Sequence, residues 1–348
     1  MILFLFREEK CMKNNTKMVR KINSDVIRKV LRKNEELTKA EISSLTGLSI
    51  ATCGNLLKLM VESGEVIEGE LEQSTGGRPA RRYRYNVDKD LLLCLYVIVD
   101  EKERLLVEVN DGIGNRKELE EINTDKITES LILEKVNEAL EKYENISYVG
   151  IGIPGTIHED VIEYSDADQL IGLNLKASIE ADHDVKVFTE TEQCLKAYGY
   201  CRNHKCSDDV TMAYIVGPKD HCLGSGLIIH GKIYRGSHSI AGEIQYLPYH
   251  YFAEHGVDMK GLMDEVSVAA GEIIALLNPE FIVISGEQFD ENTADRIKEN
   301  CQRFVRKEYI PEIYYEQESY KDFREGLVVG TLKQFGGALT VSGNSIFQ

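Results

Sequence analysis

The spacing of apolar positions divides the chain into two parts. Between residues 22 and 63 apolar side chains recur at helical intervals, and from residue 91 onward β-branched runs alternate with amphipathic stretches. In the first part Val26, Ile27, Val30 and Leu31 share a face of a helix that Ser24 can cap and that ends near Lys33. Thr38-Lys39-Ala40-Glu41 has the spacing of a capping box and opens a helix to about Thr46. Gly47 supplies a tight turn. Ser49 then caps a third helix to about Ser63, closed by Gly64. On that helix Cys53, Leu56, Leu57 and Met60 form one face, and Ala51, Asn55, Lys58 and Glu62 the opposite one, with Thr52 at the border. Two short helices, a glycine turn and a longer helix are the spacing of a helix–turn–helix. Glu65–Glu70 and Tyr83–Asn86 read as two strands joined by the linker Leu71–Arg82, which would make the unit a winged helix.

Asp88–Asp90 is a domain boundary by this pattern. Leu91–Val99 and Leu105–Val109 read as strands, with a turn at Asn110-Asp111-Gly112, and residues 117–143 as an amphipathic helical region. Tyr148–Ile153 is a strand ending at Pro154-Gly155, Val185–Thr189 a strand and Glu190–Tyr200 a helix. Met212–Val216 leads into a glycine-bearing turn, Gly224-Ser225-Gly226. A strand, Leu227–His230, and a hairpin turn at Gly231-Lys232 follow. Glu243 stands directly after Gly242, where the missing Cβ would let a ligand approach the backbone. Val266–Leu277 is a further helix. Strands alternating with helices predict an α/β body over residues 88–348, behind a winged helix–turn–helix over 22–87.

Charge sharpens that division. The net charge of −17 is uneven: residues 1–87 hold 16 Lys+Arg against 11 Asp+Glu, and the remainder 25 against 47. A basic head on an acidic body is what a DNA-reading domain on a soluble effector would show. Asn55 has the chemistry to pair with adenine, Ser49 and Thr52 sit where a recognition helix meets bases or phosphates, and Lys58 suits a phosphate. The linker Ser74–Arg82 is glycine-containing and brings Arg78, Arg81 and Arg82 together for a phosphate or minor-groove contact. Gly54 inside the third helix costs about 1 kcal/mol relative to Ala. It either permits close approach to DNA or marks relaxed selection.

The chain has no transmembrane run. Met1–Phe6 is too short for a signal peptide, and residues 1–21 read as a disordered or misassigned start, with Met12 or Met18 as alternative first residues. The expectation is a cytoplasmic protein with its eight cysteines as thiols. Cys194, Cys201, His204 and Cys206 fit no common zinc spacing, so neither metal nor cofactor is expected.

Three stretches carry a resemblance to a known family. These are Tyr148–Gly155 (YVGIGIPG), Asn278–Gly286 (NPEFIVISG) and residues 217–248, with GLIIHGKIYRGSHSIAGE at their centre. Together they resemble the repressor–ORF–kinase (ROK) family of sugar kinases and sugar-responsive regulators. GLSIATCGNLL followed by STGGRP makes the regulator branch the closer match, and the resemblance runs from about Ile22 to near the end. It implies an actin-like, hexokinase-like ATPase fold with two lobes and a cleft. Phosphoryl transfer needs a polyphosphate cradle, a metal site and a base, and here the family's pattern is broken. The positions of the first cradle fall on Val97, Val99, Asp100 and Glu101. The second reads Asp220-His221-Cys222 ahead of Gly224-Ser225-Gly226. The catalytic Asn-Asp pair falls on Thr191-Glu192, or on Glu190-Thr191 in a register one residue earlier. Gln245 and Tyr246 replace the Gly-His that follows the sugar-binding glutamate, and the cysteine-rich zinc segment is missing, so structural zinc is not expected.

The resemblance leaves Glu192, Glu243, Tyr246 and Asn174 to meet a sugar, although these carboxylates could instead pair with Arg235 or nearby lysines. The resulting expectation has no catalytic residues. It is a transcriptional repressor of carbohydrate-related genes that binds operator DNA as a homodimer or dimer of dimers, with a sugar or sugar phosphate as effector and no membrane. The alternatives are a residual ATP-dependent sugar kinase with a DNA-binding head and a scaffold regulated by a protein partner.

Overall fold

The computed structural model describes residues 18–71, 80–217, 223–247 and 261–335. These divide into two compact units. One comprises residues 18–91, 111–115 and 332–335; the other comprises 92–110 and 116–331.

The head begins with helix α1, described over residues 18–32. Ser24 therefore lies inside the helix rather than capping it, and residues 18–21 are helical rather than disordered. Nothing in Met18–Ile22 breaks a helix, so the amphipathic turn extends backward past the expected cap. Ile27 and Leu31 are buried, and Arg28 donates to Asp25 at 2.6 Å and to Glu65 at 3.0 Å. Strand β1 (Leu37–Thr38) runs into α2 (Lys39–Thr46). There the Glu41 N–H donates to Thr38 Oγ1 at 3.3 Å and the Thr38 N–H to Glu41 Oε2 at 2.7 Å, a complete capping box. Gly47 closes α2 at φ +71°, a left-handed conformation that suits glycine. Helix α3 (Ile50–Glu62) follows at a bend of 113° and buries Cys53, Leu56, Leu57 and Met60 against Ile27, Leu31 and Ile42. Strands β2 (Val66–Leu71) and β3 (Arg81–Tyr85) pair antiparallel, with β1 on the other side of β3.

The body contains two five-stranded sheets. In the first, β4 (Leu91–Val99), β5 (Glu103–Asn110), β6 (Arg116–Thr124), β7 (Ile146–Ile153) and β10 (Lys186–Thr191) lie in the order β10-β7-β4-β5-β6. Residues 117–124 were expected to be helical. They form the edge strand instead, and only Glu129–Lys142 is the helix, α4. An acidic segment with Leu119 and Ile122 as its main apolar residues carries a weak period. The exposed edge accepts its charges, and Lys135–Glu120 and Lys142–Glu118 ion pairs tie the helix to the strand. Hairpin β8 (Gly155–His158) and β9 (Val161–Ser165) and helix α5 (Leu175–Asp182) lead to β10, which runs two residues past the expected end. Helix α6 (Glu192–Asn203) therefore starts at Glu192.

The second sheet orders β11 (Met212–Val216), β12 (Gly224–Ile229), β13 (Lys232–Ile233), β14 (Phe281–Ser285) and β15 (Glu312–Tyr315) as β13-β12-β11-β14-β15. Gly224-Ser225-Gly226 was expected to be a turn but is strand. The hairpin turn falls one residue early, on His230-Gly231, both at positive φ. Helices α7 (Leu262–Leu277), α8 (Thr293–Cys301) and α9 (Ser319–Phe335) complete the body.

Helix α6 is held by backbone on two sides. A Cβ on Gly226 of β12 would stand 2.1 Å from the Gln193 carbonyl oxygen. One on Gly199 would stand 1.8 Å from the Asp322 carbonyl oxygen, and one on Gly326 2.0 Å from that of Leu195. α6 and α9 thus cross glycine to backbone, closer than any side chain allows. Gly199→Ala is expected to lower stability by about 3 kcal/mol or more, read as a shift of the urea midpoint. A midpoint unchanged from wild type would show that the crossing is not this tight.

Candidate functional site

In the head, the exposed face of α3 is a product of capping and burial. Ser49 Oγ accepts the Thr52 N–H at 3.1 Å, and the Ser49 and Thr52 hydroxyls lie 2.8 Å apart, so the two fix each other at the helix start. Asn55 and Lys58 project from the solvent side, one turn further on. Lys58 reaches Glu62 only at 3.8 Å, an exposed pair that costs little to exchange for a phosphate. The sequence reading missed Ile50 and Leu45. They are 59% and 58% exposed beside this face and suit contact with a thymine methyl. Apolar residues in an apolar-rich helix gave no signal of exposure. Arg81 is paired with Glu68 at 2.7 Å, and Arg82 lies on β3 opposite Thr38. Arg78 lies outside the described residues. A Cβ on Gly54 would meet only the Lys39 side chain, at 4.0 Å, so crowding does not require glycine there.

In the body, the N-terminus of α6 opens onto two cavities that share Asp166, Glu192 and Val216. One has a volume of about 40 Å³ and the other about 840 Å³. Glu243 lines the smaller. Its two oxygens accept from Gln193 Nε2 at 3.0 Å and Gln245 Nε2 at 3.1 Å, and Gln193 Nε2 also donates to the Gly155 carbonyl at 3.0 Å. Burial pushes the Glu243 carboxyl above the ordinary range, opposed by hydrogen bonds from Thr156, Gln245 and Gln193. Gly242 does not serve a ligand: its close neighbour is Ser225, whose hydroxyl donates to the Gly242 carbonyl at 2.8 Å.

Two of the expected sugar contacts are corrected. Asn174 caps α5, its Oδ1 accepting the Ala177 N–H at 2.9 Å, and it lines neither cavity. Tyr246 is 69% exposed on a short 3₁₀ turn and also lines neither. An Asn before an amphipathic stretch is a cap first, and the Glu243 backbone turns Tyr246 outward. Gln193 had no sequence signal beyond following Glu192. Only the packing of α6 against Gly226 aims it at Glu243.

The larger cavity meets phosphate chemistry poorly. Val97, where the family's first cradle would begin, is wholly buried in β4. Asp100 and Glu101 line the wall, and Asp100 accepts from Arg104 at 2.6 Å. Asp166, Glu192 and Glu287 add further carboxylates; the cations there, Arg104 and Lys196, are each paired, Lys196 with Glu192 at 2.5 Å. Such a wall repels a polyphosphate. Asp220-His221-Cys222 lies outside the described residues. Glu190 is buried and bound by Arg235, whose guanidinium burial pushes down to about 10. Among the described residues no group of His, Cys, Asp and Glu is arranged to hold a metal ion. The described cysteines are free, with burial pushing the Cys194 thiol up to about 12. No single described helix is long and apolar enough to cross a membrane.

Comparison with known proteins adds the following. Residues 102–257 match the family model for the ROK family. The xylose repressor of Bacillus subtilis (strain 168) is 26% identical over 241 residues, covering 66% of this chain and 61% of that protein. The chain is thus matched to less than two thirds of that relative's length. A ROK family transcriptional regulator, a homolog of the E. coli MLC protein, superposes with a TM-score of 0.61 at 14% identity over 90% of this chain and 99% of its own. The ROK hexokinase from Thermus thermophilus gives 0.53 at 14% identity over 68% of this chain and 97% of its own. At those identities the solved structures show the fold, a hexokinase-like α/β body.

Two substitutions test the local readings. Gly54→Ala is expected to stabilise the head by about 1 kcal/mol, because the methyl group fits and helix propensity improves; a lower melting temperature would contradict it. Glu190→Ala is expected to cost about 3 kcal/mol by breaking the Arg235–Glu190 ion pair inside the fold, and chemical denaturation reads it directly.

Proposed function

We propose that this chain, whose residues 102–257 match the ROK family model, is a DNA-binding transcriptional repressor of that family. Its body senses a sugar or related polyol and performs no phosphoryl transfer. The observation that carries the reading is the solvent face of α3. Its other face is spent on the core of a helix–turn–helix, and this one offers Ser49, Thr52, Asn55 and Lys58 in the order a major groove would meet them. The name of the xylose repressor of B. subtilis makes a pentose the first effector to try.

In the proposed mechanism Asn55 reads a base edge and Lys58 and the arginines of residues 78–82 hold phosphates. Two heads of a homodimer engage half-sites about 34 Å apart, so a small rotation between them releases the operator. The reading without catalysis is supported by chemistry already described. Val97 cannot orient a magnesium ion, and Glu192 is ion-paired with Lys196 rather than poised beside a hydroxyl. In this reading Glu243, which lines the smaller cavity, accepts polyol hydroxyls.

Fluorescence anisotropy on operator fragments selected by the full chain provides the test. Asn55→Ala should cost roughly 1–3 kcal/mol on the preferred site and relax specificity at one base pair. Lys58→Ala should weaken all sites alike and reduce the slope of log K against log[salt] by about 1. Failure to bind any duplex at low salt would end the reading, as would ATP-dependent phosphorylation of a sugar by the pure protein.

A further inference from the structure

The Glu243 carboxylate is already occupied by its own chain. Gln193 uses its side-chain amide nitrogen twice, toward Glu243 Oε1 and toward the Gly155 carbonyl, at 3.0 Å each. Gln245 takes the second carboxylate oxygen at 3.1 Å. Gln193 is 8% exposed, and its main chain is fixed by the contact with Gly226, so the side chain cannot be relocated by moving the helix. What remains beside Glu243 is a cavity of about 40 Å³, on the scale of a single water and far below a sugar ring. The amide donors stand where a polyol would place its own hydroxyl donors. They satisfy two oxygens of a half-buried carboxylate.

We propose that Gln193 is the specificity-determining latch of the body's polyol site: an effector binds Glu243 only by displacing the Gln193 amide, and Gln245 assists. The proposal rests on the reading of the body as a polyol sensor. Gly155 follows β7 of the first sheet and Glu243 follows β12 and β13 of the second, so the latch also ties the two sheets' loops together. Displacement opens that tie, which couples occupancy to the relation between the lobes. Selectivity follows as well: a ligand must offer at least two hydroxyl donors to repay the two bonds it breaks.

The experiment is isothermal titration of the full-length chain with D-xylose and with D-glucose, on wild type, Gln193→Ala, Gln193→Asn and Gln245→Ala. Melting temperature and the circular dichroism spectrum serve as controls for folding. The shorter amide of the Asn variant cannot span both acceptors and guards against a misfolded alanine variant. Gln193→Ala and Gln193→Asn are expected to bind a sugar about tenfold more tightly than wild type, or to bind where wild type does not, with a smaller gain for Gln245→Ala. Equal or weaker binding by folded Gln193 variants, alongside a wild type that binds, overturns the latch and leaves the sensor reading standing. If no protein binds either sugar, the sensor reading fails for these ligands and the latch falls with it.

Discussion

The body of this protein depends on how closely α6 can approach its neighbours. Three glycines, Gly199, Gly226 and Gly326, let helix and strand meet with backbone against backbone. The approach decides more than stability. It sets the depth at which the N-terminus of α6 enters the cleft, and so places Glu192, Gln193 and Lys196. A helix shifted outward by the width of a methyl group would carry Gln193 away from Glu243 and reopen the smaller cavity. Interiors are packed too densely to absorb such a shift elsewhere. Gly150 and Gly152 of β7 extend the same device, since a Cβ on either would collide with Thr331 or Phe323 of α9.

On that scaffold, buried charge is balanced locally. Glu108, wholly buried in β5, is held by Arg116 and Arg324, and Arg324 also donates to Asn110 at 2.9 Å. Glu190 is held by Arg235 and Glu192 by Lys196. Glu243, half-buried, is matched by amides rather than by a cation, and the wholly buried Asp322 likewise accepts from the Asn203 amide at 2.7 Å. A carboxylate neutralised by a cation is committed to structure. One satisfied only by neutral donors can exchange them for hydroxyls at small net cost. Glu243 differs from Asp322 in lining a cavity.

The head obeys shorter-range rules. Its turn, its caps and its buried face are set by residues within a few positions of one another, and the exposed face of α3 is what that burial leaves over. The exposure of Ile50 and Leu45 is the part that local rules do not foretell, because it depends on where α1 and the wing strands stop covering the helices.

The sequence by itself determined the helix–turn–helix. Thr38 and Glu41 form a capping box, Ser49 caps, Gly47 turns, and the Cys53–Met60 stripe is buried; each depends on residues three or four apart. It also determined β4, read as a strand from its apolar run, whereas the departure of Val97 and Asp100 from a phosphate cradle was legible only through the resemblance to the ROK family. Only the tertiary structure decided that residues 116–124 are an edge strand, because their weak period yields to pairing with β5. It alone decided that Gly224-Ser225-Gly226 is strand, because Gly226 must face the α6 backbone. It removed Asn174 and Tyr246 from the cleft and brought in Gln193, 50 residues from Glu243. Contacts across such separations depend on the crossing of whole elements, which no local pattern of residues encodes.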